Sequence, residues 1–114
     1  MKRTFLGEFE EIVLLTVGVL EDNAYGASVT KEIENQAGRV VGFNTVHVTL
    51  QRLEDKGFLK SQVGGATAER GGRRKRLFSL TPSGATALGE IRVVRLKLWE
   101  ALPAKTMALL NLIN

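Results

Sequence analysis

NTVHVTLQRLEDKGFLK at residues 44–60, followed by ERGGRRKRLFSLT at residues 69–81, is the part of the chain whose reading decides the fold. Val46, Leu50 and Leu53 recur at i, i+4 and i+7, which gives a helix one buried seam. Asn44 is an N-cap residue type and Gly57 stands at the C-cap position, so both ends of the helix are marked. Residues 58–63 and 75–80 have the partly alternating, β-prone composition of strands, and the pairs Gly64-Gly65 and Gly71-Gly72 punctuate the loop between them. A helix running straight into a hairpin with a basic loop predicts a winged helix-turn-helix, mainly α with a small β-hairpin, and a double-stranded DNA partner.

Two sets of residues would meet that DNA. On the helix, Thr45, Val48, Thr49 and Arg52 are expected opposite the seam, with His47 and Gln51 on the flank and Asn44 at the head. Arg52 and Gln51 offer donors to base edges, and the threonine and valine methyls suit a thymine methyl. Taken alone, such a face is an ordinary solvated surface; the neighbouring loop changes the reading. Between Glu69 and Arg76 five cations, Arg70, Arg73, Arg74, Lys75 and Arg76, stand against a single acid. Glycines that let the backbone approach a surface favour phosphate or minor-groove contact over a merely soluble loop, with Arg73 and Arg74 the leading wing contacts. Phosphate contacts position and give salt-sensitive affinity, whereas the helix would select sequence.

Outward from this unit, Glu8, Glu10 and Glu11 sit where a helix N-terminus favours negative charge, and Phe9, Ile12, Val13, Thr16, Val17 and Leu20 follow at helical spacing. Leu6, Leu14, Leu15 and Val19 fill the other side, one apolar stripe more than a small core needs. After the Tyr25-Gly26 turn, Val29, Ile33 and Ala37 share one face of a second helix closed by Gly38. Thr81-Pro82 pairs an N-cap with proline at the first helical position and launches a fourth helix. Leu88, Ile91, Val94, Leu98 and Leu102 make a stripe along it, and Pro103 ends or kinks it before a short apolar tail. Nothing later in the sequence covers that stripe, so a second copy of the chain is the economical cover. The expected division is a winged-helix DNA-binding domain at 1–81 with its wing near 64–74. A dimerisation helix and tail at 82–114 would pack with the first helix as one structural unit.

Composition narrows the function classes. The 114 residues, 44% hydrophobic and 25% charged, are those of one globular domain, and the net charge of +4 favours a polyanionic partner. Without cysteine there is no disulfide, thiol chemistry or cysteine zinc site, and a lone histidine builds no His-rich metal centre. His47 has no serine or cysteine partner at a recognisable spacing, and the glycine pairs open no helix as a phosphate-binding loop would. The expectation is a protein that is not an enzyme and holds no metal or cofactor. Residues 12–20 are too few to span a bilayer and carry no signal-cleavage pattern, so the expected location is the cytoplasm.

The segments Leu6-Gly7-Glu8-Phe9-Glu10 and Asn23-Ala24-Tyr25-Gly26, the run TVHVTLQRLEDKG at 45–57, and Gly71-Gly72-Arg73-Arg74-Lys75 followed by Leu80-Thr81-Pro82-Ser83-Gly84 fall in a familiar order. In them the chain resembles, over almost all of its length, the PadR family of bacterial transcriptional regulators. The resemblance implies a homodimeric winged-helix repressor of the short subgroup with a single C-terminal helix, dimerised through that helix and the first. Where the family usually has a tyrosine followed by proline in the third helix, this chain has His47 and Val48. Some members that bind drugs or aromatic acids use a tryptophan on the last helix, and Trp99 is similar in type. Phe9, Val13, Leu96 and Trp99 are therefore the expected dimer-interface or effector residues, for a small aromatic or hydrophobic effector. The alternative reading is a winged-helix protein-interaction module without sequence-specific DNA binding.

Overall fold

The computed structural model describes residues 6–64 and 75–113. Helix α1 (Glu8–Leu20) starts where the Gly7 amide donates to Glu10 Oε1 at 2.9 Å, with Glu8, Glu10 and Glu11 in its first turn. Its Val13, Leu14 and Val17 are buried while Leu15 and Val19 stay exposed, so the surplus stripe is present. A 3₁₀ turn (Glu21–Asn23) leads to α2 (Gly26–Ala37), whose start is fixed by Ser28: its Oγ accepts the Tyr25 amide at 2.9 Å. Gly38, at φ 62°, closes α2 by donating to the Glu34 carbonyl, a left-handed cap that glycine adopts without penalty.

Helix α3 (Phe43–Asp55) begins two residues earlier than its sequence suggests. Gly42 is the N-cap, and Asn44 lies inside the first turn. The cause is packing: the Phe43 ring sits so close over Gly26 that a Cβ there would fall 2.7 Å from Phe43 Cε1, and this seat draws Phe43 into the helix. At the other end the Phe58 amide donates to Leu53 O and the Gly57 amide to Glu54 O, both at 2.9 Å, with Gly57 at φ 84°. This paired capping satisfies the last carbonyls. It also commits the Phe58 amide, and strand β1 (Leu59–Val63) starts one residue after the expected position.

β1 pairs antiparallel with β2 (Arg76–Leu80), from Leu59 opposite Leu80 to Val63 opposite Arg76, and the Gly64 amide closes the pair on Lys75 O at 2.6 Å. The Phe78 amide donates to Ala24 O, which ties the hairpin to the turn between α1 and α2. Val13, Leu14, Ile33, Val46, Leu50, Leu53, Leu59 and Phe78 form the core that these elements share.

Helix α4 (Pro82–Ala101) starts as expected: Thr81 Oγ1 accepts the Gly84 amide at 3.0 Å. The same hydroxyl donates to Gly57 O at 2.6 Å, so the cap also fastens α4 to the end of α3. Arg95 holds Glu11 with two bonds, 2.6 and 3.2 Å, linking α4 to α1. Leu102 adopts ψ 129°, as a residue before proline must, and ends the helix. The chain beyond differs from expectation. It is a further helix, α5 (Ala104–Ile113), so the C-terminal region has two helices in place of one helix and a tail. Its run of alanine, lysine, methionine and leucine consists of strong helix formers, and Pro103 merely restarts them in a new direction. Among the described residues, no single helix is long and apolar enough to cross a membrane.

The ion pair of the largely buried Glu10 carboxylate with the more exposed Lys56 contributes to the pH dependence of stability. Burial of Glu10 alone would raise its pKa. The Lys56 hydrogen bond at 2.7 Å, the Gly7 amide, and the charges of Lys56 and Arg52 outweigh that effect and hold the carboxyl below its usual value. A carboxyl lowered on folding stabilises above its unfolded pKa and loses that contribution as pH falls through its folded one. Lys56→Met is thus expected to destabilise the protein at neutral pH and to flatten its stability loss below the ordinary carboxylate range. Urea unfolding of both proteins from pH 7 to 3 checks this, and parallel profiles would refute it.

Candidate nucleic-acid interface

Helix α3 turns Val46, Leu50 and Leu53 inward and leaves Asn44, Thr45, His47, Val48, Gln51 and Arg52 exposed. Thr49 departs from expectation: it is 3% exposed and cannot read a base. α3 packs against both α1 and α2, which widens the buried arc beyond the simple seam. The Thr49 hydroxyl tolerates the interior because it donates to Thr45 O of its own helix at 2.8 Å. With Thr49 inside, helical geometry moves the centre of the outward face to Asn44, Val48 and Gln51. Arg52 lies on the flank nearest α1, where its charge helps lower the Glu10 carboxyl. His47 lies on the opposite flank, stacked on Phe43 with ring centroids 6.1 Å apart and planes 11° off parallel.

The base of the hairpin flanks this face. Lys75 is exposed, with Nζ 4.2 Å from the centre of the Tyr25 ring, so its ammonium stands over the start of α2. Arg76 donates to Ser61 Oγ at 2.9 Å and Ser61 donates to Glu54 Oε2 at 2.6 Å, a chain that braces both strands against the end of α3. The expected wing contacts Arg70, Arg73 and Arg74 lie outside the described residues. Phe43 lies ahead of the N-cap that the sequence suggests at Asn44, and its packing against Gly26 brings it onto the helix surface. Among the described residues, no group of three or more His, Asp or Glu is arranged to hold a metal.

A second surface lies along α4 and α5. Leu98 and Trp99 are 64% and 57% exposed, and Val93, Val94, Leu96, Leu109 and Leu112 are exposed with them. Arg95, Leu98, Trp99 and Leu102 line an open hollow of about 220 Å³. Two of the residues expected here do not present themselves. Val13 is fully buried, because α1 turns it into the core between α2 and α3, and it is free for neither a partner nor a ligand. Phe9 is partly covered, with the Arg39 guanidinium 5.4 Å over its ring.

Comparison with known proteins agrees with this geometry. Residues 15–90 match the family model described as the transcriptional regulator PadR-like family. No curated protein sequence matches the chain. Among solved structures, RosR of H. salinarum superposes with a TM-score of 0.68 at 20% identity, covering 98% of this chain and 94% of that one. A PadR family transcriptional regulator from Eggerthella lenta gives 0.64 at 23% identity, over 82% and 80% of the two chains. Bacillus subtilis PadR in complex with operator DNA gives 0.61 at 19% identity, over 75% of this chain and 47% of that one. At such identities the likeness speaks for the fold.

Proposed function

Because the chain belongs to the PadR-like family of transcriptional regulators, we propose that it is a sequence-specific DNA-binding repressor that works as a homodimer. The observation that carries this reading is the outward face of α3. Asn44, Thr45, His47, Val48, Gln51 and Arg52 are all exposed on one helix of a winged-helix frame, and the base of a basic hairpin stands beside it. Such a helix fits a major groove, and its polar groups match base edges: asparagine or glutamine to adenine, arginine to guanine. Arg70, Arg73 and Arg74 supply phosphate contacts from the wing.

The dimer is supported by the apolar residues that α4 and α5 leave uncovered within the chain. Pairing through them sets two copies of α3 at a fixed separation, which a pseudo-palindromic operator with half-sites about 34 Å apart would match. A small aromatic or hydrophobic effector in the hollow beside Trp99 would release the operator by favouring a different separation. A ligand that binds both arrangements equally shifts nothing.

Anisotropy titration with the protein's own upstream region tests the reading. Arg52→Ala is expected to lower operator affinity by roughly 1 to 3 kcal/mol, the value of a good base contact. Thr49→Val, altered inside the core, should leave it unchanged. The log of affinity should fall with the log of salt by about 0.9 per neutralised phosphate, and Arg73→Ala and Arg74→Ala should each flatten that slope. A flat salt dependence, or affinity indifferent to sequence, would instead mark a protein-interaction module.

A further inference from the structure

Among the described residues from α3 to β2, Phe43 is the large aromatic that faces solvent: it is 51% exposed in the first turn, whereas Phe58, just before β1, and Phe78, in β2, are buried. Its ring is stacked with that of His47, and its Cε1 and Cζ atoms abut Gly26, where an added Cβ would collide with them. Val40, 89% exposed, and Val48, 53% exposed, are further apolar residues open to solvent in this part of the chain. Half-exposed aromatic surface is costly in water and gains when apolar atoms cover it. The position matters as much as the exposure, since the N-terminal residues of a recognition helix are those that reach base edges.

We propose that Phe43 is a specificity-determining residue, reading the 5-methyl group of a thymine in each operator half-site, with His47 as the positioning residue that holds its ring. The proposal rests on the reading of α3 as a sequence-reading helix. In the major groove thymine differs from cytosine by that methyl as well as by its hydrogen-bonding atoms, and phenylalanine is one of the side chains suited to contact it. Asn44, next along the helix and exposed, suits the adenine of a T·A pair, so one helical turn would present partners for both bases.

The experiment replaces single thymines by deoxyuridine, which removes only the methyl. An operator is first selected from random duplexes with the wild-type protein, and each consensus thymine is then exchanged in turn. At one position per half-site the exchange should weaken wild-type binding about fourfold, the worth of one buried methyl group. Phe43→Ala should bind the thymine and deoxyuridine operators equally, and so should Phe43→Ser, which guards against a defect peculiar to one variant. Circular dichroism melting verifies that both are folded. His47→Ala should reduce the discrimination without moving it to another position. If a consensus is selected but no exchange matters, or Phe43→Ala keeps the wild-type discrimination, the proposal falls and the regulator reading stands. The proposal falls equally if Val48→Ala removes the discrimination and Phe43→Ala does not. If no consensus emerges at all, both fall together.

Discussion

Gly84→Ala is expected to destabilise the protein by about 3 kcal/mol or more, at the upper end of what overpacking costs. A Cβ on Gly84 would stand 2.2 Å from the Phe58 carbonyl oxygen and 3.1 Å from its carbon, so the obstruction is backbone and cannot swing aside. Nor can the two segments easily part. Phe58 O accepts the Thr81 amide at 3.1 Å, and Thr81 Oγ1 donates to Gly57 O, so relief of the clash would break the bonds that seat α4. In a domain of this size the loss should lower the melting temperature by roughly 10 °C or more. Gly89→Ala is the internal control. It lies in the same helix with nothing within 4 Å of an added Cβ, and helix propensity predicts a gain of roughly 0.5 to 1 kcal/mol. Urea denaturation of both variants decides the matter; shifts of equal sign and size would refute the close-approach argument.

The second large effect concerns assembly. Replacing Leu98 and Trp99 together by aspartate is expected to convert the proposed dimer to monomer and to lower operator affinity by more than about 100-fold. Both side chains are more than half exposed in the single chain, so the change should leave the fold of one copy standing. Within a dimer the new carboxylates would be desolvated without partners, at a cost of several kcal/mol. The affinity loss follows because a second half-site bound by a tethered copy gains 10²–10⁴ through effective concentration alone, roughly, and a monomer forfeits it. Sedimentation equilibrium and operator titration read the two parts separately. A variant that stays dimeric, or one that becomes monomeric yet binds as before, would overturn this account of the α4 surface.

The architecture was legible because its punctuation is local. Gly57, Gly38 and the Thr81-Pro82 pair act through their own backbone geometry, and each ends or begins a helix where the sequence places it. What could not be read locally was decided by contacts between distant segments. Phe43 joined α3 because Gly26, in another helix, offers a seat. Thr49 went inside because two helices close on α3 from different sides, and a hydroxyl that bonds to its own helix gives no polar warning. Val13 was assigned to a surface because α1 is apolar nearly all round, and periodicity cannot say which stripe faces the core. The exposed face of α3 is thus largely the one its periodicity predicts, with Thr49 withdrawn from it and Phe43 added. The helical state of residues 104–113 was missed because a proline ahead of an apolar decamer looks the same whether it stops a helix or restarts one.

The bond from the Gly64 amide to the Lys75 carbonyl, together with the Arg76–Ser61–Glu54 chain, closes the hairpin below its loop. Its consequence is evolutionary as much as mechanical. Among the described residues, the bonds that fix α3 and α4 lie on the body side of that closure, so exchange within the span 65–74 is expected to leave both helices in place. Insertions there add little entropic cost, since doubling a loop's length adds only about 0.6 kcal/mol. Length and charge in that span can therefore change, and with them the proposed grip on phosphates, while α3, the proposed reading helix, keeps its place.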